Sequence, residues 1–105
     1  MSTVIHEKLV RDRIPEIIEK SGKACVTRTL PDAEYLAALD DKLQEELNEY
    51  LADKSMEELA DLLEVMMAAA EARGHTFAEV EAIRREKAEQ RGGFRERIWL
   101  ESVSD

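Results

Sequence analysis

The stretch from Gln44 to Glu64, QEELNEYLADKSMEELADLLE, constrains this chain more than any other. It holds Glu46-x-x-Glu49, a break near Ala52 to Ser55, and then Glu58-x-x-Asp61. On a helix, residues three apart share a face and sit about 4.5 Å apart along the axis. If two helices fold back on each other at the break, Glu49 and Glu58 each lie about one turn from the loop. Glu46 and Asp61 then lie about one turn further, and four carboxylates converge. Like charges at that range repel, so the arrangement calls for a cation or for shared protons. An all-oxygen ligand set suits Mg²⁺ or Mn²⁺ better than zinc.

A plainer reading exists for each half alone. Ser55-x-x-Glu58 is also a capping box, and acidic residues in a first turn suit the helix dipole. Glu46 and Glu49 would serve equally as the wet face of an acidic helix. The level-matched pairing favours a site, and so does the continuation of the second helix. There, positions 58, 61/62, 65, 69 and 72 form one stripe that passes into Leu62, Val65, Ala69 and Ala72. Carboxylates at the mouth of an apolar seam lose water and need a partner.

The rest of the chain is read around that stretch. At 105 residues it is expected to form one domain, 1–105, of mainly α class, since Leu, Ala, Glu and Arg dominate and Gly and Pro are few. A single Cys25 allows no internal disulfide and two His give no zinc pattern, so a cytoplasmic setting is expected. No apolar run reaches transmembrane length, which argues against a membrane role. The net charge of −9 argues against nucleic acid as a partner. Between Asp32 and Asp61 there are 11 acidic and 2 basic residues, whereas Arg84 to Arg97 has 6 basic and 3 acidic. An acidic centre with a basic segment near it fits metal-assisted binding of an anionic substrate.

Residues 1–10 read as an extended arm. Asp12-Arg13-Ile14-Pro15 opens a short helix that Gly22 closes. Lys23 to Leu30 alternates with β-branched residues, and Phe94 to Val103 alternates in the same way. Strands over 24–30 and 96–102 are therefore expected, forming a small two-stranded β element. Two longer helices are predicted over about 33–52 and 56–73, as an antiparallel hairpin or bundle. Leu36, Leu39, Leu43, Leu47 and Tyr50 form the first helix's seam, with Lys42, Glu46, Glu49 and Asp53 as a stripe beside it. A further helix begins at the Thr76-x-x-Glu79 capping box and ends at Gly92-Gly93. Cys25, Trp99 and the two Phe residues read as packing groups. The apolar surface of the second long helix is too broad for one partner helix. It predicts a homodimer or higher oligomer through Leu62, Val65, Met66 and Ala69.

These motifs resemble those of the all-α nucleoside triphosphate pyrophosphohydrolases, the MazG-like superfamily that includes phosphoribosyl-ATP pyrophosphohydrolase. The resemblance rests on Glu45-Glu46-x-x-Glu49 followed by Glu58-x-x-Asp61. It extends to Lys8-Leu-Val-Arg-Asp-Arg-Ile-Pro15 and Lys87-Ala-Glu-Gln-Arg91-Gly-Gly-Phe94, which are similar to a small single-domain house-cleaning branch. One departure is the gap between Glu49 and Glu58, whose eight residues are fewer than in the better-known branches. The resemblance implies Mg²⁺-dependent hydrolysis between the α- and β-phosphates of a nucleoside triphosphate. It implies Glu46, Glu49, Glu58 and Asp61 as metal ligands, and Glu45 or Glu49 as the group that positions or deprotonates water. It also implies Lys87 and Arg91, with Lys8, Arg11 and Arg13, as phosphate clamps. Phosphoribosyl-ATP as substrate and a non-catalytic helical dimerisation module are the alternatives carried forward.

Overall fold

The computed structural model describes residues 2–105 and contains four α-helices in chain order. They are α1 (Ile14–Lys20), α2 (Asp32–Asp53), α3 (Met56–Ala72) and α4 (Phe77–Arg91). Each begins and stops where local chemistry dictates. Pro15 sits in the first turn of α1, where its missing N–H is not needed, and Gly22 follows the helix at φ +90°. Ser55 and Thr76 cap α3 and α4, their hydroxyls accepting from the backbone N–H of Glu58 and Glu79, both at 3.2 Å. Lys54 ends α2 in the left-handed conformation, φ +62°, and its N–H returns to Tyr50 O at 2.7 Å.

Only Lys54 and Ser55 join α2 to α3, and the two helices pack on each other along their length. At the end far from the turn, Arg73 reaches Asp40 at 3.8 Å. The inside of α2 is a heptad-like run, Leu39, Leu43, Glu46 and Tyr50. Leu39 is 3% exposed and Val65 of α3 is 9% exposed; they are the buried apolar pair of the seam. This rotates the expected pattern slightly. Leu47 is left 38% exposed, and Glu46 moves from beside the seam to within it.

Helix α4 packs on α3 alone, and α1 stands apart from the other helices. The result is long, 67 × 31 × 24 Å, with a radius of gyration of 18.6 Å, whereas a folded monomer of this length has roughly 13 Å. Accessible area is 9725 Å², against roughly 6,000 Å² for a compact 12.0 kDa monomer.

Three expectations need correction. Neither 24–30 nor 96–102 is a strand, and the described residues contain none. Both runs lie unpaired, and the second is broken by a turn that leaves Arg97 at φ +60°; alternation shows only that a segment could pleat, and a lone two-stranded ribbon is barely stable in water. Trp99 and Phe94 are not packed within the chain, at 86% and 98% exposed. Of the face proposed for self-association, Val65 is already used inside the α2–α3 seam. The side of α3 that remains open carries Met56, Leu59, Leu63 and Met66. No helix among the described residues is long and apolar enough to cross a membrane.

Candidate metal centre

The α2–α3 pairing brings the acidic motifs together in two triads that share one residue. Glu46, Glu58 and Asp61 each offer a carboxylate oxygen, all within 4.8 Å of one another. Glu45, Glu46 and Glu49 do the same on α2 alone. The anticipated square is thus a hinge on Glu46. Glu58 and Asp61 face it across the seam, while Glu49 joins from its own helix and is exposed.

Glu46 is 7% exposed, and its Oε2 has no hydrogen-bond partner; the same is true of the buried Oε2 of Glu58. The Ser55 hydroxyl does cap the helix, but the Glu58 carboxylate makes no return bond to Ser55 and stays in the cluster. Burial pushes the Glu46 carboxyl above the ordinary range, and the neighbouring Glu49 carboxylate pushes it the same way. Lys42, 3.4 Å from Glu46 Oε1 and 3.1 Å from Glu45 Oε2, offsets only part of this. Burial alone would lower the Lys42 pKa, but its pairing with Glu45 and Glu46 outweighs that and raises it. The ion-pair role of Lys42 was not anticipated. Its spacing three and four residues before Glu45 and Glu46 is the signal that would have found it.

The N-terminal arm supplies two further cations. Arg11 donates to Asp61 Oδ1 at 2.7 Å across fifty positions of sequence, and Lys8 approaches Glu45 at 4.0 Å. The arm and α2 bound a cleft of about 250 Å³ that includes Lys8, Asp41, Lys42 and Glu45. Arg13 turns instead to Glu16 at 3.1 Å. Lys87 and Arg91 lie on the last two turns of α4, a helix that does not contact α2, and neither forms an ion pair among the described residues. The structure therefore joins the acidic residues with Lys8, Arg11 and Lys42, and leaves Arg13, Lys87 and Arg91 outside.

Two buried carboxylate oxygens with no donor are an incomplete arrangement, since each such group carries a desolvation penalty of about 1–3 kcal/mol or more. A hard divalent cation bound by Glu46, Glu58 and Asp61 meets that need with oxygen donors alone. These residues fit such an ion.

Comparisons with known proteins are sparse. No family model matches the chain, and no solved structure matches it. A protein of Mycolicibacterium smegmatis (strain ATCC 700084 / mc(2)155), described as uncharacterized, is 62% identical over 45 residues. That match covers 43% of this chain and 46% of the relative.

Proposed function

We propose that this chain is a MazG-like, Mg²⁺-dependent nucleotide pyrophosphohydrolase that cleaves a nucleoside triphosphate to the monophosphate and pyrophosphate. The observation that carries the reading is the pair of unpartnered buried oxygens on Glu46 and Glu58, grouped with Asp61. The bound ion would supply charge neutralisation at the phosphates and a water of lowered pKa. The chain's residues do the rest. Glu46, Glu58 and Asp61 would hold the ion at the seam. Glu49, exposed beside Glu46, accepts a proton as the water oxygen attacks the α-phosphorus. The bond from that phosphorus to the bridging oxygen breaks, and pyrophosphate leaves with its electron pair. Lys8 and Arg11 lie where they can hold the polyphosphate oxygens. Self-association through the exposed side of α3 and a cytoplasmic setting belong to the same reading.

The decisive assay is pyrophosphate release across ordinary and damaged nucleoside triphosphates and phosphoribosyl-ATP, with Mg²⁺ or Mn²⁺. Release with at least one substrate is expected, together with a Tm that rises with Mg²⁺. Saturation to 100 times Kd corresponds to about 2.7 kcal/mol of added stability. No release and no Mg²⁺ effect on Tm would leave only a helical interaction module.

The pair between Arg11 and Asp61 gives a finer test. Arg11 competes with a cation for Asp61, and exposed pairs of this kind are worth about 0.2–1 kcal/mol. Arg11→Gln should therefore tighten Mg²⁺ binding by roughly 1.5- to 5-fold in calorimetric titration of the free protein. Unchanged or weaker binding in the variant would mean that Arg11 and the ion do not compete for Asp61.

A further inference from the structure

Beyond Gly92 the chain has no regular structure apart from a turn in which Arg97 N–H bonds to Phe94 O at 3.2 Å. Residues 94–103, FRERIWLESV, nonetheless carry five large apolar side chains. Phe94, Ile98, Trp99, Leu100 and Val103 are 98, 81, 86, 74 and 82% exposed. Segments that stay unfolded in solution are poor in such groups, so this composition belongs to a segment that packs on something. A matching surface lies on α3. Met56, Leu59, Leu63 and Met66 fall on one helical face and are 70, 38, 44 and 43% exposed. Methionine at both ends of that face lets it adapt to an incoming chain.

We infer that residues 94–103 form an arm that packs on the Met56–Leu59–Leu63–Met66 face of α3 in a second copy of the chain, the two copies exchanging arms reciprocally. Three observations select a second copy as the occupant. The accessible area exceeds that of a compact monomer by roughly 3,700 Å², several times the roughly 800 Å² per partner of a standard interface. Helix α4 carries the root of the arm about 22 Å from the α3–α4 turn at 1.5 Å per residue, and the chain's own helices cover none of the arm's apolar groups. The charges also match. Outside the seam, helix α3 exposes Glu57, Glu64 and Glu71 and has no Lys or Arg, whereas Arg91, Arg95 and Arg97 flank the root of the arm. A two-fold axis would make the two arm contacts identical and close the assembly.

This inference rests on the self-association proposed above, and its test keeps the two apart without using catalysis. Trp99 is the one tryptophan of the chain and lies within the arm, so its emission reports directly on arm packing. Sedimentation of the full chain should show a dimer at micromolar concentration. Trp99 emission should be blue-shifted and shielded from acrylamide, and dilution should reverse both with the change in mass. Ile98→Asp and Leu63→Asp should each weaken dimerisation at least tenfold and return Trp99 to solvent, with far-UV circular dichroism unchanged. An equimolar mixture of the two variants should recover about half of the emission shift, because it reunites one intact arm with one intact face. A dimer with Trp99 still solvated would overturn the arm and spare the self-association. A monomer with shielded Trp99 would mean that the arm folds onto its own chain. A monomer with solvated Trp99 would overturn both.

Discussion

Replacing Glu46 with glutamine is expected to abolish the Mg²⁺-dependent rise in Tm and to cut pyrophosphate release by about a thousandfold. A metal ion's charge stabilisation is worth several kcal/mol, and each 1.36 kcal/mol is tenfold in rate. Glu46 is shared by both acidic triads and is the most buried of their members, so no neighbour can take its place. The metal-free variant should behave in the opposite way. The Glu46 pKa is raised above its ordinary 4.5 by burial and by Glu49. Below that ordinary value the side chain is protonated in both folded and unfolded states and carries no penalty. As pH rises through the raised value, the folded state must release a proton that burial favours keeping, and stability is lost. Wild type without metal should therefore lose more Tm than Glu46→Gln between mildly acidic and neutral pH. The ion pairs at Glu16 and Glu81, which act with the opposite sign, cancel in that difference. Equal pH profiles for the two proteins, or wild-type turnover in the variant, would remove Glu46 from the centre of the site.

Leu39→Ala is expected to be the most damaging single change to the fold. Leu39 is the least exposed apolar side chain, and Val65 of α3 is the other buried one. Leu→Ala in a packed site costs about 2–5 kcal/mol. In a domain of this size each kcal/mol moves Tm by about 4–8 °C, so a drop of roughly 10 °C or more follows. Ala52→Gly on the exposed last turn of α2 should cost no more than about 1 kcal/mol and serves as the control. Thermal melts of the two variants at pH 7 check this. A Leu39→Ala melt within a few degrees of wild type would mean that the α2–α3 seam does not hold the fold.

Much of this architecture was legible in the sequence because it rests on local chemistry. The helix limits follow from Pro15, Ser55, Thr76 and the glycines, whose effects act within a turn or two and need no tertiary context. The meeting of Glu46 with Glu58 and Asp61 was legible because the two residues between the helices leave almost no freedom in how they return. The finer rotation of α2 was harder to see. Leu47 and Glu46 are adjacent, and which of them faces α3 depends on whether the helix follows a period near 3.5 or near 3.6. Leucine at that position pointed one way and the structure took the other. The alternating runs at 24–30 and 94–103 misled for a different reason. A strand exists only with its partner, and a sequence states an appetite for pairing without naming what satisfies it. The reach of Arg11 to Asp61 was invisible for the same reason, since the intervening residues 23–30 have no regular structure that fixes the path of the arm.

Helix packing in this chain joins only neighbours in sequence, α2 with α3 and α3 with α4. Chains dominated by such short-range contacts fold quickly, and the closing of α2 on α3 across a two-residue turn is the natural first event. That event is also the one that forces Glu46 against Glu58 and Asp61. The mutual repulsion of the cluster is thus met on the way up the folding barrier, before α4 is in place. An ion that bound the cluster while the seam closes would lower that barrier and speed folding, as well as slow escape from the folded state. On the proposed reading, the carboxylates that would hold the ion would also bear on how fast the hairpin closes.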